Sequence, residues 1–227
     1  MHSQQLAEFI SRYNLHLPAV ISAVEERSLN DILNTYDYNS KEFRRGRILY
    51  ISEATLEYLI ILLVTGSFLA RLTSELGFSD SLTGIISSFL TAGTVFQLPS
   101  MLLSKQKVKH TTISLGVLGQ WIFMFLYWIP LMVFSLNVKK YLFITAIFVS
   151  FFLYNIVRPG KVDWQMSLVE NEHRGQFTGG KEIVSLIFGI IFSFLMGYIF
   201  DYYNAYGRLD RAFFISALTI FILSILA

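Results

Sequence analysis

The stretch IVSLIFGIIFSFLMGYIF, residues 183–200, decides the fold class. It runs for eighteen residues without a charged side chain. A helix of about 17–25 apolar residues crosses a hydrocarbon core roughly 30 Å thick. Five further apolar stretches accompany it, at 48–72, 82–103, 112–134, 141–157 and 212–227. The expectation is an all-α membrane protein, with six transmembrane helices forming one bundle over 48–227. The last stretch is still apolar at Ala227, without a cap or an interfacial anchor. It reads as a helix cut short, so the chain is expected to be a fragment.

Composition agrees with a lipid environment. Hydrophobic residues make up 54% of the chain and charged residues 15%, against about 25% charged in a typical soluble domain. The 21 phenylalanines would overload a soluble core, whereas lipid accepts them. The absence of Cys excludes disulfides, thiol catalysis and thiolate metal sites. A net charge of +2 is too small to suggest a nucleic-acid partner. Residues 1–47 lack the apolar core of a cleavable signal peptide, so the first membrane helix is expected to act as the targeting signal. No cofactor or metal is implied.

Lys and Arg set the expected orientation. With the N-terminus in the cytoplasm, thirteen fall inside: Arg12, Arg27, Lys41, Arg44, Arg45, Arg47, Lys105, Lys107, Lys109, Arg158, Lys161, Arg174 and Lys181. Five fall outside: Arg71, Lys139, Lys140, Arg208 and Arg211. The expected location is the plasma (inner) membrane, multi-pass. Residues 1–47 read as a cytoplasmic amphipathic segment. Leu6, Phe9, Ile10 and Tyr13 share one helical face, Pro18 interrupts it, and Val20, Ile21 and Val24 resume it.

Ionisable residues inside a membrane need a partner, a wet cavity or the interface. Glu53 and Glu57 lie four apart on one face of the first helix. If the helix core starts at Ile48, Glu57 is deep in the membrane. If it starts nearer Tyr58, both glutamates are interfacial. Arg71 and Glu75 read as an outer-rim pair, and Gln120 as a helix–helix hydrogen bond. Ser185, Gly189, Ser193 and Gly197 form a small-residue stripe on the fifth helix, and Gly84, Ser88 and Ala92 form another on the second. Such stripes let a helix approach closely, either within this bundle or at a sliding interface with another.

The segment 158–182 reads as an inner loop. Pro159-Gly160 is expected to end the fourth helix, and a short amphipathic run (Val162, Met166, Leu168, Val169) follows. Arg174, Gly175, Gly179 and Lys181 then form a flexible basic turn into the fifth helix, expected to govern conformational switching. It lacks the spacing and the Ser or Thr of a phosphate-binding P-loop.

That turn, Arg174-Gly175-x-Phe177-x-Gly179-x-Lys181, resembles one that is frequent in the major facilitator superfamily after its fourth helix. A short outer turn from Leu76 to Gly84 and a basic inner loop from Lys105 to Lys109 add to the resemblance, which covers about residues 44–227. The segment from Gln97 to His110 keeps the family's basic residues and lacks its Asp and second Gly. The family's fourth-helix signature, an Arg with a downstream Gln-Gly, is not matched around Arg158. The resemblance implies the N-terminal half of a two-bundle transporter, built of inverted three-helix repeats, with the C-terminal six-helix half missing. It implies a cavity lined by the first and fourth helices, with Glu57, Tyr154 and Asn155 as coupling or substrate residues. The second and fifth helices would face the missing half. The implied activity is secondary active transport of a small solute by alternating access, with a proton as the candidate coupling ion at Glu57.

Two other classes stand beside this reading. One is a six-helix permease subunit or membrane scaffold working with a separate partner. The other, an intramembrane enzyme, has less support: His2, His16, His110 and His173 are scattered, and Glu53 and Glu57 show no convergent partner in the linear sequence.

Overall fold

The structure is a computed structural model that describes residues 40–97 and 108–227, with 108–113 as backbone only. The expected amphipathic segment from Leu6 to Val24 and the basic loop from Lys105 to Lys107 lie outside the described residues. Every described element is helical. The helices are α1 (Lys41–Leu63), α2 (Gly66–Glu75), α3 (Asp80–Ala92), α4 (Val108–Trp128), α5 (Leu136–Ser167), α6 (Arg174–Ala205) and α7 (Leu209–Leu226). Five helical segments are long and apolar enough to cross a membrane. They comprise α1 with α2, then α4, α5, α6 and α7. The chain is a helical membrane protein. The second apolar stretch is described only through α3 and a 3₁₀ turn at Gly93–Phe96.

The bundle is built around α7. It packs on α4, α1 and α6, while α4 packs on α5, α1 on α6, and α5 on α3. Phe123, Tyr127, Phe143, Phe151 and Phe213 fill the interior with ring contacts, such as Phe123 on Phe151 at 5.4 Å between centroids. By contrast, α6 turns Ile187, Phe188, Ile190, Ile191 and Phe194 outward. An apolar surface of that extent suits lipid or another bundle.

Two expectations about continuity are corrected. The stretch 48–72 is not one helix. It breaks between Leu63 and Gly66, where Gly66 takes φ +54°, a left-handed conformation that L side chains resist. The carbonyls released there find other donors: the Tyr127 hydroxyl donates to the Leu63 carbonyl at 2.5 Å, and Thr65 Oγ1 to that of Ile61 at 2.7 Å.

The second correction concerns 158–182. Pro159-Gly160 does not end the fourth helix; α5 runs through Pro159 to Ser167. Proline removes one backbone donor and crowds the preceding turn, but the turns beyond it are held by tertiary contacts. Trp164 packs edge-on to Tyr50 at 5.1 Å, and Gln165 accepts from the Tyr50 hydroxyl at 3.1 Å. The basic turn is likewise helix: Arg174 to Lys181 form the first turns of α6. Each helical glycine costs about 1 kcal/mol relative to Ala. Phe177, packed against the Tyr50–Leu168–Val169 cluster, offsets that cost.

Candidate functional site

The continuation of α5 past Pro159 carries Lys161 to α1. Its ammonium lies 2.5 Å from Glu53 Oε1 and 2.7 Å from Glu57 Oε1. All three side chains are 16% exposed. Glu53 and Glu57 share a face of α1 because four residues make just over one turn. One ammonium therefore serves both. Charge-assisted hydrogen bonds of this kind are about twice as strong as neutral ones. With both carboxylates ionised the triad has one negative charge in excess. Glu53 Oε2 is buried without a hydrogen-bond partner among the described residues.

One member of the triad, Glu57, lines a cleft between α1, α4 and α5. Glu57, Ile61, Gly119, Gln120, Phe123 and Tyr154 are among the residues lining it. Gln120 is buried at this wall. Arg158, one turn beyond Tyr154 on α5, sits over the Tyr154 ring at 6.0 Å. On the other side of the triad a polar chain ties three helices. The Tyr50 hydroxyl donates to Gln165 Oε1, and Gln165 Nε2 donates to Thr178 Oγ1 at 2.7 Å.

The expected cavity residues separate. Glu57 and Tyr154 meet at the cleft. Asn155 does not join them: it is fully buried toward α3. Its amide donates to the Phe151 carbonyl at 2.9 Å and the Leu90 carbonyl at 3.3 Å, and its Oδ1 accepts from Gln97 at 2.9 Å. A Cβ at Gly93 would overlap that amide. Asn155 thus fastens α5 to the end of α3.

The small-residue stripes also divide. Ser185 shares a 3.1 Å hydrogen bond with Thr55, and Gly189 receives the Tyr58 ring, so this part of the stripe packs on α1. A Cβ at Gly197 would meet no atom within 4 Å, and Ser193 is half-buried. On α3, a Cβ at Gly84 would likewise meet nothing within 4 Å, while Ser88 and Ala92 are exposed. Arg174 donates to the Met166 carbonyl at 2.9 Å and the Val169 carbonyl at 3.4 Å, closing the C-terminus of α5. Lys181 pairs with Glu182 at 2.8 Å, and a Cβ at Gly175 or Gly179 would meet open space. Arg71 pairs with Asp201 at 3.8 Å and not with Glu75; the Asp201 side chain is 81% exposed.

Lys161 is the site residue that sequence reasoning missed. The signal was its position seven residues after Tyr154, on the same helical face. That signal is visible only if α5 is carried past Pro159. Comparison with family models, with curated proteins and with solved structures finds no match to this chain.

Proposed function

We propose that this chain forms the N-terminal bundle of a secondary transporter that moves a small solute by alternating access, in the manner of the major facilitator superfamily. The observation that carries the proposal is the Glu53–Lys161–Glu57 triad between α1 and α5, whose Glu57 lines the cleft. Ionisable groups in membrane-spanning helices are costly and mark substrate, ion or proton paths. When one carboxylate takes a proton, Lys161 is held by the other alone; the tie between α1 and α5 weakens without being cut, and the bundle gains two arrangements that differ in charge. Glu57 is the proposed proton carrier, and Tyr154 with Gln120 the neighbouring polar wall for a solute. A second six-helix bundle would complete the path, with the exposed faces of α3 and α6 toward it. A plasma-membrane location with a cytoplasmic N-terminus goes with this proposal, supported by the thirteen inner and five outer basic residues.

The test is solute-evoked proton flux. Full-length protein in proteoliposomes holding a pH-sensitive dye is challenged with a panel of sugars, amino acids, organic acids and amines. The expected result is proton movement with one chemical class, abolished in Glu57→Gln while counterflow exchange of the same solute persists. Proton-driven accumulation that survives Glu57→Gln would remove Glu57 from coupling. Absence of flux and exchange with every class would favour a permease subunit or scaffold.

A further inference from the structure

The first two turns of α1 carry four cations within seven residues, Lys41, Arg44, Arg45 and Arg47. Arg47 turns inward and donates to the Leu168 carbonyl at 3.3 Å. Lys41, Arg44 and Arg45 are exposed, and none of the three forms an ion pair among the described residues. Their place at a helix N-terminus works against them, because the macrodipole favours anions there. The helix itself does not explain them.

The same face of α1 continues as exposed apolar surface. Ile48 and Leu49 lie one turn beyond Arg44 and Arg45 and are 58% and 54% exposed. Residues four apart stack on one face of a helix, so two guanidinium groups sit directly above two exposed aliphatic side chains. Depth can be read from Trp164, the exposed member of the aromatic pair beside them, Tyr50 being buried. Trp164 is partly exposed and packs edge-on to Tyr50. Amphipathic rings of this kind settle at the membrane–water boundary. Arg44 and Arg45 precede Tyr50 by six and five residues, which is about 8–9 Å along the axis at ~1.5 Å per residue. The headgroup layer on each side of the hydrocarbon core is about 5–8 Å deep.

We infer that Lys41, Arg44 and Arg45 form a binding surface for the phosphate of an anionic phospholipid, whose glycerol and first acyl carbons lie along Ile48 and Leu49. The partner class follows from charge and depth together: a phosphodiester recognised by paired guanidiniums, attached to tails that cover the adjacent apolar turn. A neutral zwitterionic lipid offers the tails without the net charge. A free phosphate offers the charge without the tails. The inference is independent of the transport proposal.

The experiment is lipid binding to the purified full chain in detergent, read by native mass spectrometry with phosphatidylglycerol and phosphatidylcholine supplied in equal amounts. The expected result is preferential retention of phosphatidylglycerol. Arg44→Gln/Arg45→Gln should weaken it by about fivefold per arginine removed. Arg44→Lys/Arg45→Lys, which keeps the charge and loses the guanidinium fork, should fall between the parent and the glutamine variant. Arg208→Gln/Arg211→Gln, an equal charge change at the far ends of α6 and α7, should leave it unaltered. The inference is overturned if Arg44→Gln/Arg45→Gln retains the lipid like the parent chain, or if the Arg208→Gln/Arg211→Gln protein loses it equally. Competition by millimolar inorganic phosphate that displaces the lipid completely would also overturn it, since the tails would then contribute nothing.

Discussion

Lys161 Nζ reaches Glu57 Oε1 at 2.7 Å across 104 residues of chain, and the contact exists because α5 does not stop at Pro159. With all three side chains only 16% exposed, this triad is a test of how charge is held in the bundle. Removing one member of a buried ion pair typically costs about 3–5 kcal/mol, whereas replacing the whole set by apolar or neutral groups can be nearly neutral. Lys161→Met should therefore lower the thermal midpoint in detergent strongly. The triple change Glu53→Gln/Glu57→Gln/Lys161→Met should recover most of the loss. If the single and triple variants melt alike, the triad is not held as a coupled unit.

Gly189 is matched to Tyr58. A Cβ there would lie 2.5 Å from Tyr58 Cε1 and 3.2 Å from Leu62 Cδ1. Overpacking of that kind costs about 1–3 kcal/mol. Gly189→Ala should destabilise the bundle, and Tyr58→Leu in the same chain should restore part of the loss. Gly197→Ala on the same stripe meets open space and should be neutral or slightly stabilising, because Ala is the better helix former. Thermal unfolding of the three variants beside the parent chain decides this. Equal effects at 189 and 197 would show that the α1–α6 contact does not depend on the glycine.

The break between α1 and α2 rests on Gly66 and Tyr127. Gly66→Ala must hold φ near +54°, at a cost of about 1–2 kcal/mol. Tyr127→Phe leaves the buried Leu63 carbonyl without its donor, which costs about 1–3 kcal/mol. Both should destabilise, and the two together should fall short of the sum because they act on one break. Strict additivity in the double-variant cycle would separate the hydrogen bond from the bend.

Orientation is open to direct labelling, because the chain has no native Cys. Glu172 precedes α6 and Tyr206 follows it, and both are exposed. Glu172→Cys should resist an impermeant maleimide in whole cells and react after permeabilisation. Tyr206→Cys should react from outside. The reverse pattern would invert the topology expected from the thirteen inner and five outer basic residues.

Long apolar runs were legible in the linear chain because lipid imposes one requirement on every spanning segment: enough consecutive apolar residues, with backbone groups satisfied within the helix. Residues 183–200 meet it without reference to any neighbour. The ends and interruptions of the helices were not legible. Pro159, Gly175 and Gly179 are local helix breakers, yet the structure overrides all three, since Tyr50, Trp164, Gln165 and Phe177 make contacts worth more than the local penalties. Gly66 is the converse, a single glycine in an apolar run that does break the helix. The candidate site divides in the same way. Glu53 and Glu57 could be placed on one face from their spacing alone. Their partner could not, because an ion pair spanning more than 100 residues depends on where two helices cross. Asn155 and Tyr154 are adjacent in sequence and look equivalent there. A turn of about 100° per residue in a helix sends one toward α3 and the other to the cleft, and only the packed bundle assigns which is which.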